Sequence, residues 1–463
     1  MSKTFHSLKY VNFRLWFGGN IIASTGSWMQ RVAQDWLVLT VLTDNSALQL
    51  GIVTALQFVP MLLLSPWAGV VADRVNRRHL LQITQALTGL FGVVLGVLVL
   101  SGVAQLWMVY ILALAGGIVS TLDSPARQAF VSELVPVTSL TNAIGLNSMA
   151  FNIARLLGPA VSGLVIAAVG PGWVFVINGA LFLAPVIAMA SMRVPELIPL
   201  RQVPRRPGQV REGLRYVKSR PDIILILCVV FVVSALGMNF QMTSALMATE
   251  VYGKGAGEYG ILGSFMAIGA LGGALLAARR AMPRLRWIVF SAGAFGLAEL
   301  ALGAAPGYWP FAILAIPTGL AMLTMVTSAN ALVQITTPEE MRGRVMAIYS
   351  MIFMGATPIG SPIIGWVGEH WGARWSLWVG GIASLVVAVV ALVWAKVHWE
   401  VRVRLHWSFT HPIEDVSRID AAAGADSTAS IDEGASTPDP SHPAGPEGDV
   451  GASGPSGDPE DDR

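Results

Sequence analysis

Twelve hydrophobic stretches, each long enough to cross a bilayer, fill the chain from residue 13 to about residue 396. A membrane-spanning helix needs about 20 mainly apolar residues, because it rises about 1.5 Å per residue. Apolar residues make up 54% of the chain and charged residues only 13%, which is typical of a membrane protein. We predict spans at 13–42, 48–72, 79–100, 104–123, 140–169, 172–192, 221–249, 259–278, 285–304, 308–334, 341–368 and 374–396.

These spans are expected to be helices. A backbone in hydrocarbon must satisfy its own hydrogen bonds, and the runs lack the alternation of polar and apolar residues that barrel strands need. The first stretch is about thirty residues long and contains Arg31 and Asp35, so we expect it to be retained and not cleaved as a signal peptide. The sequence therefore predicts an all-α membrane protein with twelve transmembrane helices.

The distribution of basic residues predicts the orientation. The loops on one side of the predicted bundle hold eighteen Arg and Lys residues, whereas the opposite loops hold only Lys254 and Arg374. Cytoplasmic loops carry the excess of positive charge. We therefore expect a multi-pass protein of the plasma membrane with both termini in the cytoplasm.

The longest internal connection is rich in Pro and Arg and divides the spans into six and six. A shift of 202 residues places Pro136, Gly158 and Gly163 on Pro338, Gly360 and Gly365, and it also carries span onto span, which favours duplication over chance. We predict two pseudo-symmetric six-helix bundles, and duplicated halves with a site between them are a recurrent transporter plan. The predicted regions are an N-terminal bundle (1–192), a basic cytoplasmic linker (193–220), a C-terminal bundle (221–396), a juxtamembrane segment (397–414) and an acidic cytoplasmic tail (415–463).

The two C-terminal regions differ in composition. Apolar and polar residues alternate from His398 to Thr410, which favours a short extended or interfacial segment. The tail is rich in Gly, Pro, Ser and Ala and carries a net charge of −10, so it is predicted to be disordered. The remaining charge of +12 suits a cytoplasmic face beside anionic lipid, and no nucleic acid is needed to explain it.

Four charged residues inside spans are candidates for function: Arg31, Asp35, Arg155 and Glu299. Each costs about 2.5–3.5 kcal/mol to insert into a membrane. Arg31 and Asp35 are four residues apart on one face of the first span, so they could form a static ion pair that fixes the helix. They could instead line a central cavity, in which Asp35 is the first choice for a protonation site.

Neutral polar residues extend this predicted cavity. Gln34 adjoins Asp35 in the first span, and Asn152 precedes Arg155 in the fifth. Either amide could bind a substrate by hydrogen bonds or simply join two helices. Arg155 has an alternative structural role as a donor to backbone carbonyl groups, and Glu299 could reach water near the outer end of the ninth span.

A motif between the second and third spans carries a family resemblance. Gly69, Asp73 and Arg74 are followed by the basic pair Arg77 and Arg78. This pattern resembles the signature of the major facilitator superfamily, with Asn76 in the usual place of Gly. Both residues tolerate a left-handed turn.

The resemblance implies the two-bundle fold of that superfamily and a cytoplasmic latch. In such a latch Asp73 would lie near the start of the eleventh span, around Met341, while Arg74 and Arg78 would pair with neighbouring acids. A carboxylate is favoured at a helix N-terminus. The alternative is that these charges only follow the excess of positive charge on the cytoplasmic side.

The fifth span carries a second motif, formed by Gly145, Gly158, Pro159 and Gly163. It resembles the antiporter motif of drug-efflux members, although small residues also serve ordinary helix packing. From about residue 5 to residue 400 the chain is similar to the third group of drug:proton antiporters, which includes transmembrane secretion effectors. The residues that carry this similarity are 26–30, 36–37, 123–128, 152, 154–155, 158–159 and 342–345. One departure is that no Arg lies between Leu106 and Leu122, where many proton-coupled exporters have one.

These features predict a secondary transporter, expected as a monomer, that exports a lipophilic or amphiphilic molecule by alternating access with proton antiport. No enzyme, metal or cofactor motif competes, and Cys228 is the single cysteine. One rival is export of an anionic metabolite such as a siderophore, because two arginines outnumber Asp35. Another is a membrane scaffold or sensor that recruits a partner through its tail, and deletion of residues 415–463 would separate this reading from transport.

Overall fold

The computed structural model describes residues 3–198, 209–278 and 284–399, which all belong to one unit of the chain. The acidic tail and all but the first three residues of the juxtamembrane segment lie outside the described residues, as does the middle of the linker. The predictions made for those parts remain predictions.

The helices of the first half follow the predicted spans closely. After a 3₁₀ turn at Lys3–Lys9, they are α1 (Val11–Trp36), α2 (Ala47–Arg74), α3 (Arg77–Leu100), α4 (Leu106–Leu134), α5 (Val137–Val169), α6 (Pro171–Leu181) and α7 (Leu183–Ala190). Ser46 and Asn76 begin α2 and α3 as N-caps, because each side chain accepts a backbone N–H of the first turn. The sixth predicted span comprises two helices, α6 and α7, which are divided at Phe182.

The second half begins with an amphipathic helix from the linker. Its helices are α8 (Gln209–Lys218), α9 (Pro221–Val232), α10 (Phe240–Leu246), α11 (Ala256–Ala278), α12 (Leu285–Ala304), α13 (Tyr308–Thr336), α14 (Glu339–Gly355), α15 (Thr357–Trp371) and α16 (Ala373–Trp399). The predicted eleventh span thus comprises α14 and α15. α16 continues through Trp399, so the segment predicted to be extended starts as helix.

The all-helical membrane fold is confirmed. Eleven helical stretches within the described ranges are long and apolar enough to cross a membrane. α1 is not among them although it has 26 residues, because Asn20, Arg31, Gln34 and Asp35 make it too polar. Those four side chains face protein in place of lipid, since three of them are buried and Arg31 is half-buried.

The predicted end of the fourth span was wrong. α4 continues past Asp123 to Leu134, with Pro125 inside it. Charged residues in a sequence often indicate a loop, but here Asp123 and Arg127 form an ion pair one helical turn apart and the helix continues. α4 therefore contains Arg127, which follows the stretch from Leu106 to Leu122 that has no arginine.

Packing in the first half is repeated in the second. α2 packs on α4 as α11 packs on α13, and α3 packs on α6 as α12 packs on α16. Contacts between the halves run from α2 to α15 and from α5 to α11. This repetition supports the predicted duplication, and the proposed domain boundaries remain a prediction.

Chain direction gives the bundle two sides, which we name for use below. The terminus side holds the start of α1, the turn from α2 to α3 and the ends of α4 and α13. The far side holds the end of the first span, the start of α11 and the turn from α15 to α16. Under the predicted orientation the terminus side is cytoplasmic.

Two spans depart from regular α-helix on the way to the far side. α1 continues as a π-helical segment at Leu37–Leu42. The seventh span is broken more deeply, because a π-helical turn at Val233–Gly237 is followed by two non-helical residues, Met238 and Asn239, and then by α10 and another π-helical turn. Such irregularities are frequent at functional sites in helical membrane proteins.

Candidate functional site

Asp35 lies where the two halves meet. Its side chain is buried near the end of α1, and its Oδ2 accepts a hydrogen bond of 2.9 Å from the hydroxyl of Tyr259 on α11. The neighbouring Trp36 stacks on the Tyr259 ring with centroids 6.3 Å apart. The Tyr259 hydroxyl also lies 3.3 Å from the carbonyl oxygen of Gln241. A single tyrosine thus joins the first, seventh and eighth spans around the carboxylate.

The ion pair considered for Arg31 and Asp35 is absent. Within the described residues, no nitrogen of the Arg31 guanidinium lies within 4 Å of an oxygen of the Asp35 carboxylate. The Arg31 guanidinium lies instead over the rings of Trp28 (5.3 Å) and Phe58 (5.6 Å), and these faces attract a cation. The two side chains leave the same helix toward different neighbours, so Asp35 is free to bond with Tyr259.

Arg155 joins this arrangement from α5. Its guanidinium lies 5.8 Å from the Trp28 ring centroid, so Trp28 contacts both arginines. Two half-buried cations therefore share one region beside Trp28, and the arrangement of both arginines with Asp35 around one cavity remains a prediction. This region can attract an anionic group through the arginines and flat apolar groups through the ring faces.

The two predicted amides differ in their surroundings. Gln34 is buried, and its Nε2 has no hydrogen-bond partner in the described part of the chain. Asn152 donates to the carbonyl oxygen of Ser148 (2.8 Å) one turn back on its own helix. Gln34 is therefore the amide that is free to bind a ligand near Asp35.

The prediction that Glu299 could reach water was wrong. Its side chain is only 3% exposed, although it lies near the far end of α12. α16 and the π-helical turn at Val233–Gly237 pack over it. Glu299 lies beside Gly237 and Gly380 of the second half, whereas Asp35 lies against Tyr259.

The predicted latch residues lie at helix ends. Gly69, Asp73 and Arg74 belong to the last turns of α2, and Arg77 and Arg78 begin α3. The expected left-handed turn is not used, because Asn76 has an extended backbone (φ −63°, ψ 112°) and caps α3 with its side chain.

The two arginines of the basic pair have different partners. Arg77 forms ion pairs with Asp73 (3.5 Å) and with Glu133 on α4 (2.6 Å). Arg78 donates to carbonyl oxygens at the end of α7, so the expected acidic partner is replaced by the negative end of a helix. The predicted placement of Asp73 near Met341 remains a prediction, and Arg74 is exposed.

A polar network that was not predicted from the sequence joins α3 to α4. The Asp123 Oδ1 accepts hydrogen bonds of 2.7 Å from Thr84 and from Gln85 on α3. Its other oxygen lies 2.7 Å from a guanidinium nitrogen of Arg127. The carboxylate therefore joins α3 to α4 while remaining buried.

Arg127 extends this network to α1 and α5. Its Nη1 donates to the Asn20 Oδ1 (2.6 Å), and its guanidinium lies 5.7 Å from the Trp16 ring centroid. Asn20 in turn donates to Asn147 (2.7 Å). The signal that could have revealed this network is the spacing of Asp123 and Arg127, which places both side chains on one helix face.

Three of the four residues in the antiporter motif lie at helix contacts. A Cβ on Gly158 would lie 2.5 Å from the Cβ of Trp28, and a Cβ on Gly163 would lie 2.5 Å from the carbonyl oxygen of Ala256. The carbonyl oxygen of Pro159 is packed in the same way against Gly260. Gly145 has open space beside it, so it makes no close approach. The motif thus joins α5 to α1 and to α11 across the two halves.

Comparisons with known proteins cover most of the chain. A family model described as transmembrane secretion effector matches residues 2–416. The staphyloferrin A transporter of Staphylococcus aureus (strain NCTC 8325 / PS 47) is 26% identical over 385 residues, which cover 81% of this chain and 94% of that protein. The multidrug efflux pump Tap of Mycolicibacterium fortuitum is 26% identical over 384 residues, which cover 80% and 93%.

A solved structure shares the fold. The crystal structure of a D-xylose-proton symporter superposes with a TM-score of 0.63 at 16% identity, and the match covers 84% of this chain and 97% of that chain. At this level of identity the likeness concerns the fold alone.

Proposed function

The chain belongs to the transmembrane secretion effector family of major facilitator transporters, and we propose that it exports an amphiphilic small molecule across the plasma membrane by alternating access with proton antiport. Its family is a class of membrane transporters and not of enzymes. The proposal places both termini in the cytoplasm, because the loops of the terminus side carry most of the basic residues.

The observation that carries the proposal is the hydrogen bond between Tyr259 and Asp35. It links α1 of the first half to α11 of the second, and both side chains are buried. Rotation of the halves in alternating access would break this bond and bring Asp35 into contact with water. The carboxylate would then exchange its tyrosine partner for a proton, so proton binding and the conformation of the halves become linked.

The arginines supply a second link between proton and substrate. Arg31 and Arg155 lie against Trp28 and form no salt bridge in the described part of the chain. A bound substrate that covers the Trp28 face would displace at least one guanidinium toward Asp35. A closer cation favours the ionised carboxylate and promotes release of its proton.

One observation favours a second candidate, the export of an anionic metabolite such as a siderophore. Two cations and one carboxylate give the central region a net positive charge, which suits an anion more than a cationic drug. One relative is named as a staphyloferrin A transporter and another as a multidrug efflux pump, so the relatives support either substrate class.

The test uses the full chain in proteoliposomes with an imposed pH gradient. Asp35→Asn should abolish gradient-driven movement of ethidium, and Tyr259→Phe should reduce it, while Asp44→Asn should leave it unchanged because Asp44 is an exposed acid on the far side. Equal gradient-driven rates for Asp35→Asn and the wild type would overturn proton coupling through this carboxylate. Inhibition of ethidium movement by a catecholate siderophore would favour the anionic substrate.

A further inference from the structure

Glu299 and Ser384 place two unsatisfied polar atoms in the interior of the second half. Glu299 is 3% exposed and Ser384 is fully buried. Neither the Glu299 Oε2 nor the Ser384 Oγ has a hydrogen-bond partner among the described residues. Buried polar groups are almost always hydrogen-bonded, so two unsatisfied oxygens together call for an explanation.

Both oxygens face the same position in the seventh span. A Cβ on Gly237 would lie 3.0 Å from the Glu299 Oε2 and 3.1 Å from the Ser384 Oγ. A Cβ on Gly380 would lie 2.8 Å from the same carboxyl oxygen. The carboxyl group therefore occupies space that exists only because residues 237 and 380 lack side chains.

Among the side chains that the structure describes, no basic group faces this carboxyl group from the elements packed against α12. On α16, Arg374 lies at the far end and donates to the carbonyl oxygen of Gly303 (2.8 Å), and Lys396 lies near the opposite end. The remaining titratable groups on those elements are Tyr308 on α13, Asp222 and Cys228 on α9, Arg286 on α12 itself and His398, two residues after Lys396 on α16. Because an ionised carboxylate would be unpaired here, the neutral carboxylic acid is the form that suits the closed site.

The neighbouring backbone connects this carboxyl group to Asp35. Gly237 ends the π-helical turn at Val233–Gly237, and the non-helical residues Met238 and Asn239 follow it. Four residues after Gly237, the carbonyl oxygen of Gln241 lies 3.3 Å from the Tyr259 hydroxyl that donates to Asp35. One interrupted segment therefore lies against Glu299 at one end and, at the other end, reaches Asp35 through Tyr259.

We infer that Glu299, with Ser384 beside it, is a second proton-binding site, which the interrupted seventh span covers and uncovers during transport. With the span as described, Glu299 holds a proton on its carboxyl group. When the π-helical turn becomes regular α-helix, Gly237 rotates away, water reaches the carboxyl group and the proton leaves to that water. Because the same change moves Gln241, the two sites gain and lose protons in a linked order. The role of Glu299 in transport rests on the proposed function, whereas the proton-binding site itself does not.

Two independent measurements on the full-length protein test the inference. Infrared difference spectroscopy at neutral pH should give a carbonyl band of a protonated carboxylic acid that disappears in Glu299→Gln. The band should remain in Glu250→Gln, the control, because Glu250 is an exposed glutamate at the end of the seventh span. In proteoliposomes, Glu299→Gln should lose ethidium movement driven by a pH gradient while ethidium counterflow without a gradient is unchanged.

The outcomes separate this inference from the proposed function. A carbonyl band that persists in Glu299→Gln overturns the site whether or not ethidium is transported, and gradient-driven movement at the wild-type rate overturns its role in coupling. If the wild type moves no ethidium but the band depends on Glu299, the proposed substrate fails and the proton site stands. If Glu299→Gln does not fold, Glu299→Asp should shift the band because it moves the carboxyl group by one methylene group, and an unshifted band overturns the site.

Discussion

The far side and the terminus side of the bundle are held by different contacts. On the far side, hydrogen bonds join the two halves, since Glu369 on α15 accepts from the Ser46 hydroxyl (2.6 Å) and from the backbone N–H of Leu48 at the start of α2 (3.0 Å). On the terminus side, the networks around Asp123 and Arg77 join helices of the first half only. The far-side contacts can therefore hold the halves together, whereas the terminus-side contacts hold one half rigid.

The Glu369 contact is the counterpart of the predicted latch. It places a carboxylate from the end of the eleventh span at the N-terminus of the second span, where the helix dipole favours negative charge. The latch would place Asp73, at the end of the second span, at the N-terminus of the eleventh. The same pair of helices can thus be fastened at opposite ends, which suits a protein whose halves close on one side at a time. Under the proposed topology, the Glu369 contact fastens the two halves on the outer side.

The largest expected effect comes from adding one methyl group to the far-side contact. A Cβ on Gly365 would lie 2.5 Å from the carbonyl oxygen of Ala47, the first residue of α2. Gly365→Ala should therefore lower the free energy of unfolding by about 3 kcal/mol, because backbone atoms must move apart. Thermal unfolding in detergent, followed by tryptophan fluorescence, measures this loss.

The control for this substitution is Gly145→Ala, which adds the same methyl group in open space. It should leave the midpoint of unfolding unchanged. Equal midpoints for the two variants would contradict the close approach of α2 and α15.

The next effect concerns the terminus side. Asp123→Asn leaves Arg127 without its ion-pair partner, and we expect a loss of about 2 kcal/mol because the pair is partly buried. The exposed Gln128→Ala on the same helix is the control. Chemical unfolding in detergent measures the free energy of unfolding of both variants. Asp123→Asn should leave the opening of the far side unchanged. An effect on far-side opening would show that the two sides are not independent.

The sequence predicted the helices well because apolar runs are a local signal. α12 begins and ends at the predicted residues, Leu285 and Ala304. The end of α4 was wrong because two charged residues that neutralise each other in space read as a loop in the sequence. Glu299 was placed near water for a similar reason, since the helices that cover it come from elsewhere in the chain.

The candidate site was predicted only in part. The charged residues of α1 stand out in an apolar background, so Asp35 could be found without a structure. Its partner Tyr259 is 224 residues away, and Glu369 is 323 residues from Ser46. Neither contact follows from spacing along one helix, because both depend on how the halves meet.

A smaller effect is expected for the charge at the far-side contact. Glu369→Gln keeps the shape of the side chain but removes its charge at the start of α2, which should weaken the closed far side by about 1 kcal/mol. Ser361 is buried behind this contact, where it donates to the carbonyl oxygen of Gly51. A cysteine placed there by Ser361→Cys, with the exposed Cys228 changed to Ser, should react with a thiol reagent about fivefold faster in Glu369→Gln.

The control for this measurement is Glu340→Gln, which makes the same change at an exposed glutamate on the terminus side. It should leave the labelling rate unchanged. A labelling rate in Glu369→Gln that matches the control would remove Glu369 from the closure.

The smallest effect is expected for substitutions of Asn76, which lies in the turn from α2 to α3 on the terminus side. These substitutions distinguish two roles for that turn. The family signature usually has Gly at position 76, which suggests a left-handed turn, but Asn76 here is extended and accepts the backbone N–H of His79 (3.2 Å). Asn76→Gly should therefore cost a few tenths of a kcal/mol and Asn76→Ala about 1 kcal/mol, because glycine is a tolerable N-cap and alanine is a poor one. Thermal unfolding of the two variants in detergent distinguishes the roles, since a strained left-handed turn would make Asn76→Gly more stable than the wild type. A gain in stability would mean that this turn stores strain for the latch, and a small loss means that it only begins α3.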